Sequence, residues 1–148
     1  MHNFETLVIF KMNNRAANIN LETITHEESL ICPVAGGNCI NWILGHIIVS
    51  RDDMREVLGM EKASSEELLE NYSRGTKTIT KERAINFPEL LNMFNDLQEP
   101  MEKKIESADL TGKQEDLKQL TFLCFHEAYH AGQLGLLRRI AGKSGAIK

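Results

Sequence analysis

Apolar side chains recur at helical spacing through most of the chain, and they predict four long helices. Within each segment these side chains fall three or four residues apart, which is the period of an amphipathic helix. Glycine, proline and small polar residues separate the segments, as expected at helix ends. The predicted helices cover about residues 3–22, 38–58, 86–108 and 111–141.

Two of the apolar stripes carry specific expectations. In the third helix, Pro100 interrupts a stripe that runs from Leu90 to Ala108. An interior proline costs about 3 kcal/mol or more and bends a helix, so we expect a kink there rather than two helices. In the first helix, with Asn3 as N-cap, the residues expected to face the core are Phe4, Val8, Met12, Ala16 and Ile19.

The segment between the second and third helices, residues 60–86, is the least regular part of the sequence. Ser64 and Glu67 form a capping-box pattern that predicts a short helix ending near Tyr72. A turn and a short extended run at 76–80 are expected to follow. Long connections in compact domains are usually functional or disordered, so we interpret this one as a flap over one end of the fold.

Together these elements predict an all-α fold. We expect a single domain spanning residues 1–148, an up-down four-helix bundle with an irregular connection between helices two and three. In the fourth helix, Thr111 and Gln114 suggest a capping box and Gly142 a stop signal. Bundles of this kind hold metals and small ligands between facing helices.

Charge and cysteine content limit the classes of partner. The net charge is -4, there is no long basic run, and aromatic residues are few, which argues against nucleic acid. The three cysteines have no paired spacing and are expected to be reduced thiols. No signal-peptide pattern is present, and the longest apolar run, 40–49, is too short to cross a bilayer. We therefore predict a cytoplasmic protein with no membrane partner.

The candidate chemistry lies in the histidines. His126 and His130 stand four residues apart in the fourth helix, so they share one face, and that face also carries core leucines. Two buried imidazoles are costly unless their nitrogens are satisfied, and a metal ion satisfies one nitrogen on each. His46, in the middle of the second helix, is the candidate third ligand. The alternative is that the three are core histidines satisfied by other protein groups.

Residues 126–130 also match the HExxH pattern of zinc proteases, in which the glutamate is the general base. Those enzymes take a third ligand from downstream, but the 18 residues after His130 contain no His, Asp or Glu. Leu136 occupies the position of the third histidine in the longer form of the motif. We therefore reject the protease interpretation, and retain Glu127 as a candidate base or as an acceptor beside the site.

Two segments resemble the motifs of the DinB-like superfamily, which includes the YfiT-type metal-dependent hydrolases. They are NWILGHI at 41–47 and HEAYHAGQL at 126–134, the latter followed by Arg138 and Arg139. Their order and their positions in helices two and four match the family. The first helix, with NNRAAN at 13–18, only loosely resembles the aromatic-rich family pattern. This difference bears on the shape of the substrate pocket rather than on the metal site.

The resemblance implies a four-helix bundle with a divalent metal, Zn²⁺ or Ni²⁺, held by His46, His126 and His130. It also implies a homodimer and a small-molecule substrate. Some relatives are transferases that use a low-molecular-weight thiol such as bacillithiol, mycothiol or glutathione. Many others have no known reaction.

The expected chemistry follows from the number of ligands. Three imidazoles leave coordination positions open, as in catalytic rather than structural zinc sites. Such an ion activates either a water for hydrolysis or the thiol of a small cofactor for transfer, and the resemblance favours transfer. Tyr129 and Gln133 flank the histidines and are candidates for holding a cofactor. The alternative is a function of a different class: a non-catalytic bundle in which the metal ion holds the helices together.

Overall fold

The computed structural model describes residues 3–147, and within that range it is all-helical, as predicted. The predicted extended run at 76–80 contains no strand. Seven helices follow one another in the described range: α1 Phe4–Leu21, α2 His26–Ser29, α3 Ile40–Val57, α4 Glu66–Tyr72, α5 Phe87–Asp96, α6 Gln98–Ser107 and α7 Gln114–Ile140.

Helix α1 turns a different face to the core than the apolar pattern predicted, and that prediction is wrong. Phe4 and Met12 are 65% and 63% exposed. The buried face instead carries Asn13, whose amide donates to the Cys124 carbonyl at 2.8 Å. Asn3 likewise makes no capping bond, because its amide donates to two carbonyls near the end of α6. Buried asparagines are tolerated here because backbone acceptors satisfy them.

The predicted third helix is divided into two, α5 and α6, so the expectation of a single kinked helix is wrong. Pro100 lacks an N–H and cannot donate to the carbonyl four residues earlier, that of Asp96. Helix α5 ends at Asp96, and Leu97 separates it from α6. The apolar stripe nevertheless continues across the break, since Leu90, Phe94, Met101 and Ile105 are all buried.

Several helix ends also differ slightly from the sequence prediction. The N-cap of α4 is Ser65, whose hydroxyl accepts from the Leu68 N–H, rather than Ser64. Helix α3 begins at Ile40, after the N-cap Cys39, rather than near residue 38. Lys113 precedes α7 with no side-chain cap, so the predicted box at Thr111 is absent. Gly142 does adopt a positive φ of 87° just after α7, as a C-terminal stop requires.

Helix α7 packs along both α1 and α3, and α3 also contacts α4 and α5. Helix α6 completes the contacts by packing on α1. Nowhere in residues 3–147 does a helix have the length and hydropathy needed to span a membrane.

The core consists of two hydrophobic clusters, and α3 and α7 contribute to both. One cluster includes Leu44, Tyr72 and Leu134, together with the buried side of α5. The other includes Phe10 and Met54, together with the buried residues of α6 and the first half of α7. Both long helices are therefore fixed by apolar packing along their length, independently of any ligand.

Candidate metal centre

The structure brings together the three histidines that the sequence analysis selected. One ring nitrogen from each of His46, His126 and His130 lies within 4.8 Å of the other two. The Nε2 atoms of His126 and His130 are 3.0 Å apart. Two imidazole nitrogens on one tetrahedral zinc lie about 3.3 Å apart, given Zn–N distances of about 2.0–2.1 Å. The separation of His126 and His130 therefore already matches two ligands of one ion, and His46 lies near enough to be the third.

His46 is held in one orientation and one tautomer. Its Nδ1 lies 2.9 Å from the Tyr72 carbonyl oxygen. Because a carbonyl can only accept, Nδ1 carries the proton and the lone pair is on Nε2. The ring also stacks on Trp42, with centroids 4.7 Å apart and an interplanar angle of 11°. A buried carbonyl that fixes the tautomer in this way is the usual support of a metal-binding histidine.

Gly45 makes this arrangement possible. A Cβ atom at this position would lie 2.2 Å from Cδ1 of Tyr72, far inside van der Waals contact. The absence of a side chain thus lets the Tyr72 ring pack directly on the α3 backbone. The Tyr72 hydroxyl donates to Asn41 at 2.8 Å and accepts from the Ile85 N–H at 2.9 Å, which fixes the other end of the ring.

His130 is held in the same way by a residue of its own helix. Its Nδ1 donates to Oε1 of Gln133 at 2.6 Å, and the Gln133 amide in turn donates to the Tyr129 hydroxyl at 3.4 Å. Gln133 therefore supports a histidine, and Tyr129, 58% exposed, forms the outer end of that chain. Their predicted role in holding a cofactor stays a prediction.

Burial keeps the cluster uncharged. It lowers the pKa of His130 to about 4, and it lowers the pKa of His126 and His46 from the ordinary range as well. All three are therefore neutral at pH 7, which is the form that binds metal. Because neutral His130 donates from Nδ1, its Nε2 accepts a hydrogen bond from the Nε2–H of His126 at 3.0 Å.

Glu127, adjacent to His126, points into the core rather than into solvent. It is 4% exposed, and its two carboxylate oxygens accept from Nε and Nη2 of Arg51 at 3.0 and 2.6 Å. Arg51 is itself fully buried and also donates to the Phe94 carbonyl and to Gln98. The guanidinium lies between the rings of Phe10 and Phe94, one from each hydrophobic cluster.

A cavity of about 480 Å³ opens beside the histidines, within the size range of small-molecule sites. His46 and His126 form part of its wall. Val49, Phe122 and Leu123 supply apolar surface, and charged side chains lie among them. Asp53 is one of these, and no Lys or Arg in residues 3–147 forms an ion pair with it.

The three cysteines are unpaired, as predicted. Burial raises the pKa of Cys39 to about 11 and that of Cys124 to about 12. Both thiols are therefore protonated at neutral pH and unreactive as nucleophiles.

No family model, curated protein or solved structure matches the chain.

Proposed function

We propose that this chain is a metal-dependent enzyme, with a divalent ion held by His46, His126 and His130. The observation that carries the proposal is the convergence of three neutral imidazole nitrogens beside a cavity whose wall includes two of the histidines, His46 and His126. When bound, the ion would supply a Lewis acid that lowers the pKa of a coordinated water or thiol. Zn²⁺ and Ni²⁺ both suit imidazole ligands.

The protein's own groups would perform the remaining tasks. The Tyr72 carbonyl holds His46, and the Gln133 side chain holds His130, in the tautomer that leaves Nε2 without a proton. Val49 and Phe122 would offer apolar surface to a substrate in the adjoining cavity. Because Arg51 already engages both oxygens of Glu127, we assign Glu127 to positioning α7 against α3 rather than to proton transfer.

Of the two reactions, we propose thiol transfer ahead of hydrolysis, on the resemblance to the DinB-like superfamily. Since Cys39 and Cys124 are held protonated by burial, we expect the thiol to come from a small cofactor.

The resemblance to the DinB-like superfamily also leads us to propose an up-down bundle of four helical segments. These segments are α1, α3, the α5–α6 pair and α7. The contacts among these helices support that arrangement.

The reaction can be tested with the metal-loaded protein, a small thiol and a chloro-substituted fluorogenic electrophile. The sulfur forms a C–S bond, chloride leaves, and the thiol proton passes to solvent. We expect a rate above background that is lost in His46→Ala and on chelation. Hydrolysis of a nitrophenyl ester serves as the parallel assay. Rates that do not change between loaded and chelated protein in both assays would refute the enzyme proposal.

The non-catalytic alternative predicts a different response to metal removal. A structural ion that joins the helices would contribute much of the folding free energy. The chelated protein would then lose its helical circular dichroism signal. Here α3 and α7 are already joined by the buried Arg51–Glu127 pair and by two apolar clusters. We expect the chelated protein to stay folded, with a melting temperature that rises with metal concentration as ligand binding requires.

A further inference from the structure

The cavity beside the histidines carries a cation that has no acidic partner. Lys62 and Arg74 both contribute to its wall. The Lys62 ammonium already has an acidic partner, because it lies 3.1 Å from a carboxylate oxygen of Glu56. No Asp or Glu in residues 3–147 lies within ion-pair distance of the Arg74 guanidinium. Arg74 is thus the cation at this cavity that is free to receive an anion.

Two hydrogen bonds, one on each side of Arg74 in the sequence, hold its backbone close to the histidines. Two residues before it, the Tyr72 carbonyl accepts from His46. Two residues after it, the Thr76 hydroxyl accepts from the Trp42 indole at 2.9 Å. Trp42 and His46 stack on each other, so both bonds end at the same place on α3. The turn that carries Arg74 is therefore hydrogen-bonded to His46, a proposed metal ligand, and to Trp42, which stacks on it.

The charge of Arg74 also acts on the cluster. Burial lowers the pKa of His46 and of His126, and the positive charge of Arg74 lowers both further. Asp53 acts in the opposite direction on the same two histidines. An ion held by three neutral imidazoles keeps its full positive charge, so the cavity would favour an anion. The carboxylate of Asp53 disfavours a dianion such as phosphate in the same space.

From this placement we propose that the cavity binds a small molecule with a carboxylate, which Arg74 holds while the reacting group reaches the three-histidine centre. The proposal rests on the proposed metal site. Guanidinium and carboxylate groups match in a planar, two-bond geometry, which gives orientation as well as affinity. Arg74 would then select the substrate class and position it.

The test compares two thiols of the same chain length on the cobalt-loaded protein. One, 3-mercaptopropionate, ends in a carboxylate, and the other, 3-mercapto-1-propanol, ends in a neutral hydroxyl. Thiol binding is followed by the cobalt–thiolate absorption band. Because Arg74 is exposed, we expect about a 5-fold preference for the carboxylate, decreasing as salt is added. Arg74→Ala should abolish the preference, and Arg74→Glu should reverse it.

Lys77→Ala is the matched control, since Lys77 is exposed, lies three residues away, and is not part of the cavity wall. It should keep the preference of the parent. Equal affinity for the two thiols in the parent, or an unchanged preference in Arg74→Ala, would overturn the role of Arg74 while leaving the metal site intact. Failure of the parent to bind cobalt would overturn the metal site itself and this proposal with it.

Discussion

Two polar clusters lie between α3 and α7, and they differ in how their polar atoms are satisfied. In the first, Arg51 makes four hydrogen bonds to Glu127, Phe94 and Gln98. In the second, the Nε2 atoms of His126 and His130 share a single hydrogen bond with each other, beside a cavity. A buried charge that is fully paired holds helices in register, whereas neutral imidazoles whose Nε2 atoms bond only to each other can exchange that bond for a ligand. We therefore treat the first cluster as structural and the second as the candidate ligand site.

The largest effect is expected from Arg51→Ala, which leaves the carboxylate of Glu127 buried and unpaired. Breaking a buried pair in this way costs about 3–5 kcal/mol of unfolding free energy, measured by urea denaturation. Arg51→Met combined with Glu127→Leu should recover most of the loss. The exposed Lys103–Glu99 pair has the same N–O distance, 2.6 Å, and is the control. Lys103→Ala should leave the unfolding free energy nearly unchanged, because an exposed ion pair contributes little, and a similar loss in both single variants would contradict the structural role of Arg51.

Gly45→Ala is expected to disturb the second cluster through packing alone. The new Cβ would overlap the Tyr72 ring, at a cost of about 1–3 kcal/mol, and would shift the carbonyl that supports His46. Metal affinity should therefore fall together with stability. Gly132→Ala in α7 is the control, because a Cβ there contacts nothing within 4 Å and should be neutral or stabilising. Equal effects of the two substitutions on thermal melting would argue against the close packing of Tyr72.

Gln133→Ala is expected to weaken metal binding without unfolding the protein. Loss of the acceptor for Nδ1 of His130 should lower metal affinity about 10- to 100-fold, measured by competition with a chromophoric chelator. Gln119→Ala, on an exposed position of the same helix, should leave affinity unchanged. If Gln133→Ala binds metal as tightly as the parent, Gln133 does not support the site.

A further effect concerns the pH dependence of the metal-free protein. The folded pKa of His130, about 4, lies below the ordinary value of about 6.5. Below pH 6.5 the unfolded chain therefore binds more protons than the folded protein, and stability falls until about pH 4. Replacing His130 with Gln should make the stability curve flatter in that window. A curve identical to that of the parent would contradict the burial of a neutral imidazole there.

The sequence was sufficient for the helical class and for the three histidines, because helical spacing places His126 and His130 on one face. It was not sufficient for the buried face of α1, since burial there depends on asparagine bonds to carbonyls far away in sequence. Arg51 and Arg74 were missed for the same reason, because their partners and surroundings come from other segments. Gly45 did carry a signal, as a glycine inside an apolar helix often marks a close approach.

The most direct test of the central claim is metal content by elemental mass spectrometry on the untagged protein after incubation with Zn²⁺ or Ni²⁺ and desalting. His46→Ala and His126→Ala are compared with His26→Asn, which keeps an acceptor for the Phe87 N–H and leaves the cluster intact. We expect near one equivalent of metal in the parent and in His26→Asn, and loss of the metal in the other two variants. A parent without metal, or retention in both cluster variants, would contradict the proposed metal site.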